Sequence, residues 1–240
     1  FDPHTEQSSD GLDTILFLGL PDRITVDLGV DCVAIDCSGL PTGGVQAVSK
    51  NPLAAVNVSL FGFVENVTGT PGPDTIIGNS STNYLVGGDG DDTIYGLLDD
   101  DTLDGGLGND LLDGDGGNDT YIELPGSTDE IFDDTGDSDT IDFSAVATGI
   151  TIDLRFDVGQ PQPVDGLNVV MIHGVLENVI GTALADVITG NDSSNILRGG
   201  GGNDQLFGLA GDDVLEGGAG DDLLDGDGGS DTYVFAGANL

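Results

Sequence analysis

The chain has 240 residues, with 44 acidic against 4 basic side chains and a formal net charge of −40. Such a chain cannot neutralise phosphates, which excludes nucleic-acid binding, and no apolar run approaches the ~20 residues of a transmembrane helix. Hydrophobic residues make up 38% and oppose disorder, so the chain can bury a core once something neutralises the acids.

In chain order, the first predicted element is the apolar stretch DTILFLGLPDRITVDL at 13–28, with a β-branched strand around 24–28. Further strands are predicted at 57–67, 150–154 and 169–180. From Gly69 the sequence falls into six nine-residue units ending at Ile122: GTPGPDTII, GNSSTNYLV, GGDGDDTIY, GLLDDDTLD, GGLGNDLLD and GDGGNDTYI. A second set of six runs from Gly181 to Val234 and aligns with the first without gaps, Gly69 with Gly181 and Ile122 with Val234. DTIDFSAVATGITIDL at 139–154 matches 13–28 in the same way, Asp139 with Asp13. The two matches are out of step, and the difference puts fourteen extra residues between Leu28 and Phe63 of the first copy.

These alignments define two tandem homologous modules. The first spans 1–122, with a β-helix segment at 13–68 and a roll at 69–122. Residues 123–138 read as a linker. The second spans 139–240, with a β-helix segment at 139–180 and a roll at 181–234. Joining Leu240 to Phe1 would give LFDP, like the IFDD that follows the first roll, so the pattern reads as if another copy should follow, either as adjoining modules of a longer array of which this is a two-module slice or as separate copies stacked head to tail.

Each unit places one apolar residue between two outward neighbours, the two-residue period of a short strand, after a Gly-rich turn of six. Two units make one coil of a parallel solenoid, and equivalent positions two units apart then stack at the ~4.8 Å strand spacing. The sixth positions form rows: Asp74, Asp92 and Asp110; Asn83, Asp101 and Asp119; Asp186, Asp204 and Asp222; Asn195, Asp213 and Asp231. Two carboxylates ~5 Å apart repel by roughly 0.8 kcal/mol in water and more in a drier site. A divalent cation between them reverses the sign. Carboxylate and carbonyl oxygens suit calcium, while zinc would want Cys or His.

GGDGDD at 87–92, GGLGND at 105–110, GGGGND at 199–204 and GGAGDD at 217–222 carry a resemblance to the RTX family and its calcium-binding nonapeptide. The twelve units cover 69–122 and 181–234, a little under half of the chain. The resemblance implies a right-handed parallel β-roll. It also implies ligands: carbonyls of the second and fourth positions plus the Asp of one loop, with carbonyls of the first and third positions plus the Asp of the loop two units on. Carried over, Gly88, Gly90 and Asp92 face Gly105, Leu107 and Asp110, and Gly200, Gly202 and Asp204 face Gly217, Ala219 and Asp222. Likewise Leu97, Asp99 and Asp101 face Gly114, Gly116 and Asp119, and Leu209, Gly211 and Asp213 face Gly226, Gly228 and Asp231. The outer slots join Asp74 to Gly87, Asp89 and Asp92, and Asp186 to Gly199, Gly201 and Asp204, through imperfect first loops. The slots of Asn83 and Asn195 keep one carboxylate each. Six to eight calcium ions are expected.

No catalytic constellation accompanies the repeats. Neither H-E-x-x-H nor G-x-S-x-G occurs, and Glu65 and Glu177 sit in equivalent ENV segments as structural repetition. Cys32 and Cys37 in DCVAIDC form a local disulfide in an extracellular protein, with two unpaired thiols as the alternative. Asn57 and Asn66 are the better glycosylation candidates among the N-x-S/T sequons. The sequence therefore predicts an extracellular, non-enzymatic, calcium-rigidified structural or adhesive repeat that stacks head to tail in a bacterial surface array or filament. The alternative is the calcium-folded secretion module of an RTX enzyme or toxin whose catalytic part lies outside this chain.

Overall fold

The computed structural model describes residues 66–124, 127–133, 137–156, 159–166 and 168–235, together with the backbone of the strands Thr14–Leu16, Ile24–Asp27, Gln46–Val48 and Val56–Ser59. Cys32, Cys37 and Glu65 lie outside the described residues. Among the described residues every regular element is a strand. Among the described residues no helix is long and apolar enough to cross a membrane.

The strands stack as a parallel solenoid with two principal faces. One face is a ten-stranded sheet in the order Thr14–Leu16, Asn66–Thr68, Tyr84–Asp89, Thr102–Leu107, Thr120–Ile122, Thr140–Asp142, Asn178–Ile180, Ile196–Gly201, Val214–Ala219 and Thr232–Val234. It runs without a break through both sets of repeats. The opposite face is divided. A nine-stranded sheet carries Thr75–Ile77, Thr93–Leu98, Leu111–Gly116, Thr128–Phe132 and Val169–His173, and a four-stranded sheet carries Thr151–Asp153, Val187–Thr189, Gln205–Phe207 and Leu223–Asp225. The short strand Gln162–Pro163 pairs antiparallel with Val169–His173 and ends the nine-stranded sheet there.

The register within the rolls is two nonapeptides per coil: Thr75 opposes Thr93, which opposes Leu111, and Ile196 opposes Val214, which opposes Thr232. The spacing changes where the repeats stop. Leu111 opposes Glu130, Thr120 opposes Thr140, and Thr140 opposes Asn178. Residues 123–138, read as a linker, thus contribute the strand Thr128–Phe132 to the same wall as the first roll.

The core is one stacked column. The eighth-position residues Ile76, Leu85, Ile94, Leu103, Ile188, Leu197, Leu206 and Leu215 are all fully buried, each covered by the equivalent residue one coil away. Phe143, Ile150, Ile152 and Ile172 widen this column between the rolls. Mid-roll strands are longer than the three residues read from the repeat: Tyr84–Asp89, Thr93–Leu98, Thr102–Leu107 and Leu111–Gly116 have six each. Pairing continues into the next turn, where Gly88 opposes Gly106 and Asp89 opposes Leu107. A first position without a side chain lets successive coils approach closely enough for this.

Candidate metal centre

Each roll loop begins from its backbone. In residues 87–122 and 199–234 the second and fourth positions have positive φ, including Gly88 (118°), Gly90 (123°), Gly200 (97°) and Gly202 (122°). Residues with a β-carbon are held there too: Leu97 (90°), Asp99 (73°), Asp115 (62°), Leu209 (80°) and Asp227 (56°). Such residues cost about 1–3 kcal/mol each and persist where the surroundings over-determine them. Alternating the sign of φ turns successive carbonyls to opposite sides of the loop.

Those carbonyls converge on the gaps between stacked loops, two units apart in sequence. The Gly88 and Gly90 oxygens reach forward to Gly106 and Gly108, and Gly105's oxygen reaches back 2.6 Å from where a β-carbon on Gly87 would stand. The Leu107 carbonyl also faces back, accepting from Gly90 N at 2.7 Å. The same pattern joins Gly200 and Gly202 to Gly218 and Gly220, with Gly217 facing back to Gly199 and Ala219 accepting from Gly202 N at 2.8 Å. On the other edge Asp99's oxygen faces Gly117, and Gly114's faces back to Gly96, while Gly116 lies beyond Leu97. Its counterpart pairs Leu209 O with Gly228 N at 2.7 Å and Gly228 O with Gly211 N at 2.9 Å, beside Asp213 and the closing loop from Gly226 to Asp231.

The sixth-position acids form a ladder. Oδ1 of each accepts the backbone amide of its equivalent one coil earlier: Asp74 N to Asp92 (2.7 Å), Asp92 N to Asp110 (2.8 Å), Asp101 N to Asp119 (2.7 Å), Asp186 N to Asp204 (2.9 Å), Asp204 N to Asp222 (3.0 Å) and Asp213 N to Asp231 (3.1 Å). The second oxygen is placed differently. Oδ2 of Asp92, Asp101, Asp110, Asp204 and Asp213 is buried with no hydrogen-bond partner. A buried acceptor left unsatisfied costs about 1–3 kcal/mol, and a charged one more. Burial, set against the ladder bond and reinforced by neighbouring carboxylates, pushes Asp92, Asp101 and Asp110 up to about 7 and Asp204 to about 6.

Orphaned carboxylate oxygens beside converging carbonyls fit a hard divalent cation. No group of three or more His, Cys, Asp or Glu suited to a metal occurs among the described residues. A slot of this kind instead pairs two carboxylates with neutral carbonyls. A bound calcium ion would supply the positive charge that the ladder lacks.

The first two units of each set are built differently. Neither Thr70, Gly72, Asn79 and Ser81 nor Thr182, Leu184, Asn191 and Ser193 have positive φ. Their loops close on themselves: Thr70 N donates to Asp74 Oδ2 (2.6 Å), Asn79 N to Asn83 Oδ1 (2.9 Å), Thr182 N to Asp186 Oδ2 (2.6 Å) and Asn191 N to Asn195 Oδ1 (2.8 Å). The Gly87, Asp89, Gly199 and Gly201 side of the outer slots therefore meets a loop whose carboxylate is already engaged. GTPGPD and GTALAD lack glycine at the second position, and that was the available signal.

The ladder also passes beyond the repeats, through residues that the nonapeptide spacing misses. Asp110 N donates to Asp129 (2.8 Å), Asp119 N to Asp139 (2.6 Å) and Asp139 N to Glu177 Oε2 (3.1 Å). Glu177 is thus a rung. An outer, exposed ladder at the fifth position links Asn109 N to Asp91 (3.0 Å) and Asn118 N to Asp100 (2.8 Å). His173 stands apart from the loops, stacked on Phe132. Asn66 is half-buried in Asn66–Thr68, and Asn57 lies in the strand Val56–Ser59.

Comparison with known families places these loops. The model for the RTX calcium-binding nonapeptide repeat (4 copies) matches residues 62–94, 86–121, 180–215 and 199–233. Comparison with curated proteins gives no match.

Proposed function

We propose that this chain, whose solenoid carries four stretches matching the RTX calcium-binding nonapeptide repeat, is an extracellular structural or adhesive element that stiffens on calcium and stacks head to tail. Each inter-loop gap of residues 87–122 and 199–234 takes a calcium ion, held by two sixth-position carboxylates and the facing carbonyls. Extracellular calcium modules bind at about 10⁻⁴–10⁻³ M, far above cytosolic supply. Inside the cell, a net charge of −40 keeps the chain apart by self-repulsion; outside, calcium neutralises the ladder.

Stacking is supported by one contrast. Tyr121 is fully buried, whereas Tyr233, its equivalent in the second roll, is 42% exposed beside Phe235 at 81%. Tyr121 lies in Thr120–Ile122, which is covered by Thr140–Asp142. The equivalents of those two strands are Thr232–Val234 and Thr14–Leu16, which stand at opposite ends of the ten-stranded sheet. Pairing of Thr232–Val234 with Thr14–Leu16 of a second copy, or with the equivalent strand of an adjoining module in a longer chain, would repeat the internal joint, with Thr232 opposite Thr14 in the first case. Light scattering in millimolar calcium tests this: mass should grow with protein concentration, and Tyr233→Asp with Phe235→Asp should abolish the growth. A wild-type chain that stays monomeric at every concentration rejects stacking.

A further inference from the structure

We propose a cation site at the joint between the two rolls, built on Glu123 and Asp129 and separate from the nonapeptide slots. Glu123 follows the strand Thr120–Ile122, and its amide donates to Asp142 O at 3.0 Å. Strand alternation turns its side chain inward, and it is fully buried at 0% exposure. In the nonapeptide register it stands at a first position, where the two preceding units have Gly105 and Gly114. A β-carbon on Gly105 would run into Oδ2 of Asp110, and one on Gly114 into Oδ2 of Asp119. A side chain at this position therefore aims at the sixth-position carboxylate of its own loop. In the loop of Glu123 that place in the ladder belongs to Asp129, which accepts Asp110 N.

The result is two buried carboxyl groups facing each other, with nothing positive between them. Both oxygens of Glu123 are buried without an amide, hydroxyl or cationic donor, and the group they meet is the carboxyl of Asp129, so only a shared proton or a cation can join the two. Asp104 Oδ1, one coil earlier, is also buried without a partner. The charges of Asp129, Asp110 and Asp104 all reinforce burial in opposing ionisation of Glu123. Among the described residues the two arginines are engaged elsewhere, Arg155 with Asp153 and Arg198 with Glu216. Neutral oxygens are at hand: Ser127 lies beside Asp129 and its hydroxyl donates to Leu124 O at 3.1 Å. Two carboxylates with hydroxyl and carbonyl oxygens make a donor set for a hard divalent ion, calcium being the one the neighbouring loops select. The site would pin Thr128–Phe132 onto the end of the first roll, so that the two rolls stiffen as one body.

The test counts calcium at saturation on the full chain, by equilibrium dialysis against radioactive calcium, for the wild type and Glu123→Gln. Glutamine keeps the size and can donate to Asp129, so it replaces a shared proton without loss but cannot replace a carboxylate ligand. The variant should bind one ion fewer and keep its strand content in calcium. Equal counts would overturn the proposal and leave a proton as the bridge, while the slots of the rolls would stand untouched. Should the variant not fold, wild-type crystals grown in calcium decide. An anomalous peak between Glu123 and Asp129 supports the site, and its absence beside occupied roll slots rejects it.

Discussion

The backbone amide of Asp92 donates to Oδ1 of Asp110, one coil later, at 2.8 Å, while Oδ2 of the same carboxylate has no hydrogen-bond partner. One side chain therefore holds the coils in register with one oxygen and presents the other to the gap between loops. The two roles separate by mutation. Asp110→Asn keeps an acceptor for the Asp92 amide but loses the anionic ligand, so strand content in saturating calcium should persist while the calcium midpoint rises about tenfold or more. Asp110→Ala loses both, adding about 1–3 kcal/mol for the stranded amide. Calcium titration followed by far-UV circular dichroism checks both. An unchanged midpoint in Asp110→Asn would show that this carboxylate is no ligand.

The same burial predicts an inverted pH response in the metal-free chain. Ordinary Asp titrates near 3.9. In the folded roll, burial first and neighbouring carboxylates next push Asp92, Asp101 and Asp110 to about 7 and Asp204 to about 6. A folded-state pKa raised above the unfolded one means that the fold binds more protons. Its stability is then fully present below about 4 and lost as pH rises through 6 to 7. Dialysed, calcium-free protein should show more strand signal at pH 5 than at pH 8. Calcium competes with those protons, so its apparent affinity should rise between pH 6 and 8. A metal-free chain more structured at pH 8 than at pH 5 would contradict the buried ladder.

The two-unit coil, the buried eighth position and the stacked acids were legible in the sequence because each follows from a fixed period. What departs from the period was not. Asp129, Asp139 and Glu177 continue the ladder at spacings of 19, 20 and 38 residues, set by loops whose length no repeat dictates. Asp74 and Asp186 keep the sixth-position carboxylate behind imperfect first loops, and their Oδ2 atoms accept Thr70 N and Thr182 N. The sixth position alone does not make an open slot. The second position must also accept positive φ, as Gly88 and even Leu97 do and Thr70 does not.

That distinction yields a prediction at Asn195. Its side-chain amide donates to Glu177 O (2.9 Å) and Asn191 Oδ1 (3.1 Å), while its Oδ1 accepts Asn191 N (2.8 Å). Asn195→Asp restores the consensus residue, but it removes two donors and places a carboxylate against two acceptors. The calcium-free form at pH 5 should lose about 1–3 kcal/mol. The number of bound ions should not rise, because the loop from Asn191 to Ser193 keeps its carbonyls in the unalternated arrangement. Thermal melts and ion counting check the two halves, and a gained ion would show that the carboxylate alone defines a slot.

Close approach of the loops gives the last prediction. Gly106 has φ of 96°, and a β-carbon there would overlap the forward-facing carbonyl of Gly88, an oxygen assigned to a calcium slot. Gly106→Ala therefore acts twice, through about 1–3 kcal/mol of backbone strain and by displacing a ligand, so the melting temperature in calcium should fall and the calcium midpoint should rise several-fold. Gly166 is the control, since a β-carbon there meets nothing within 4 Å; Gly166→Ala should leave both quantities near the wild type. If Gly106→Ala lowered the melting temperature of the calcium-free and calcium-bound forms equally, with an unchanged midpoint, the Gly88 carbonyl would serve packing alone and the ligand set would lose that oxygen.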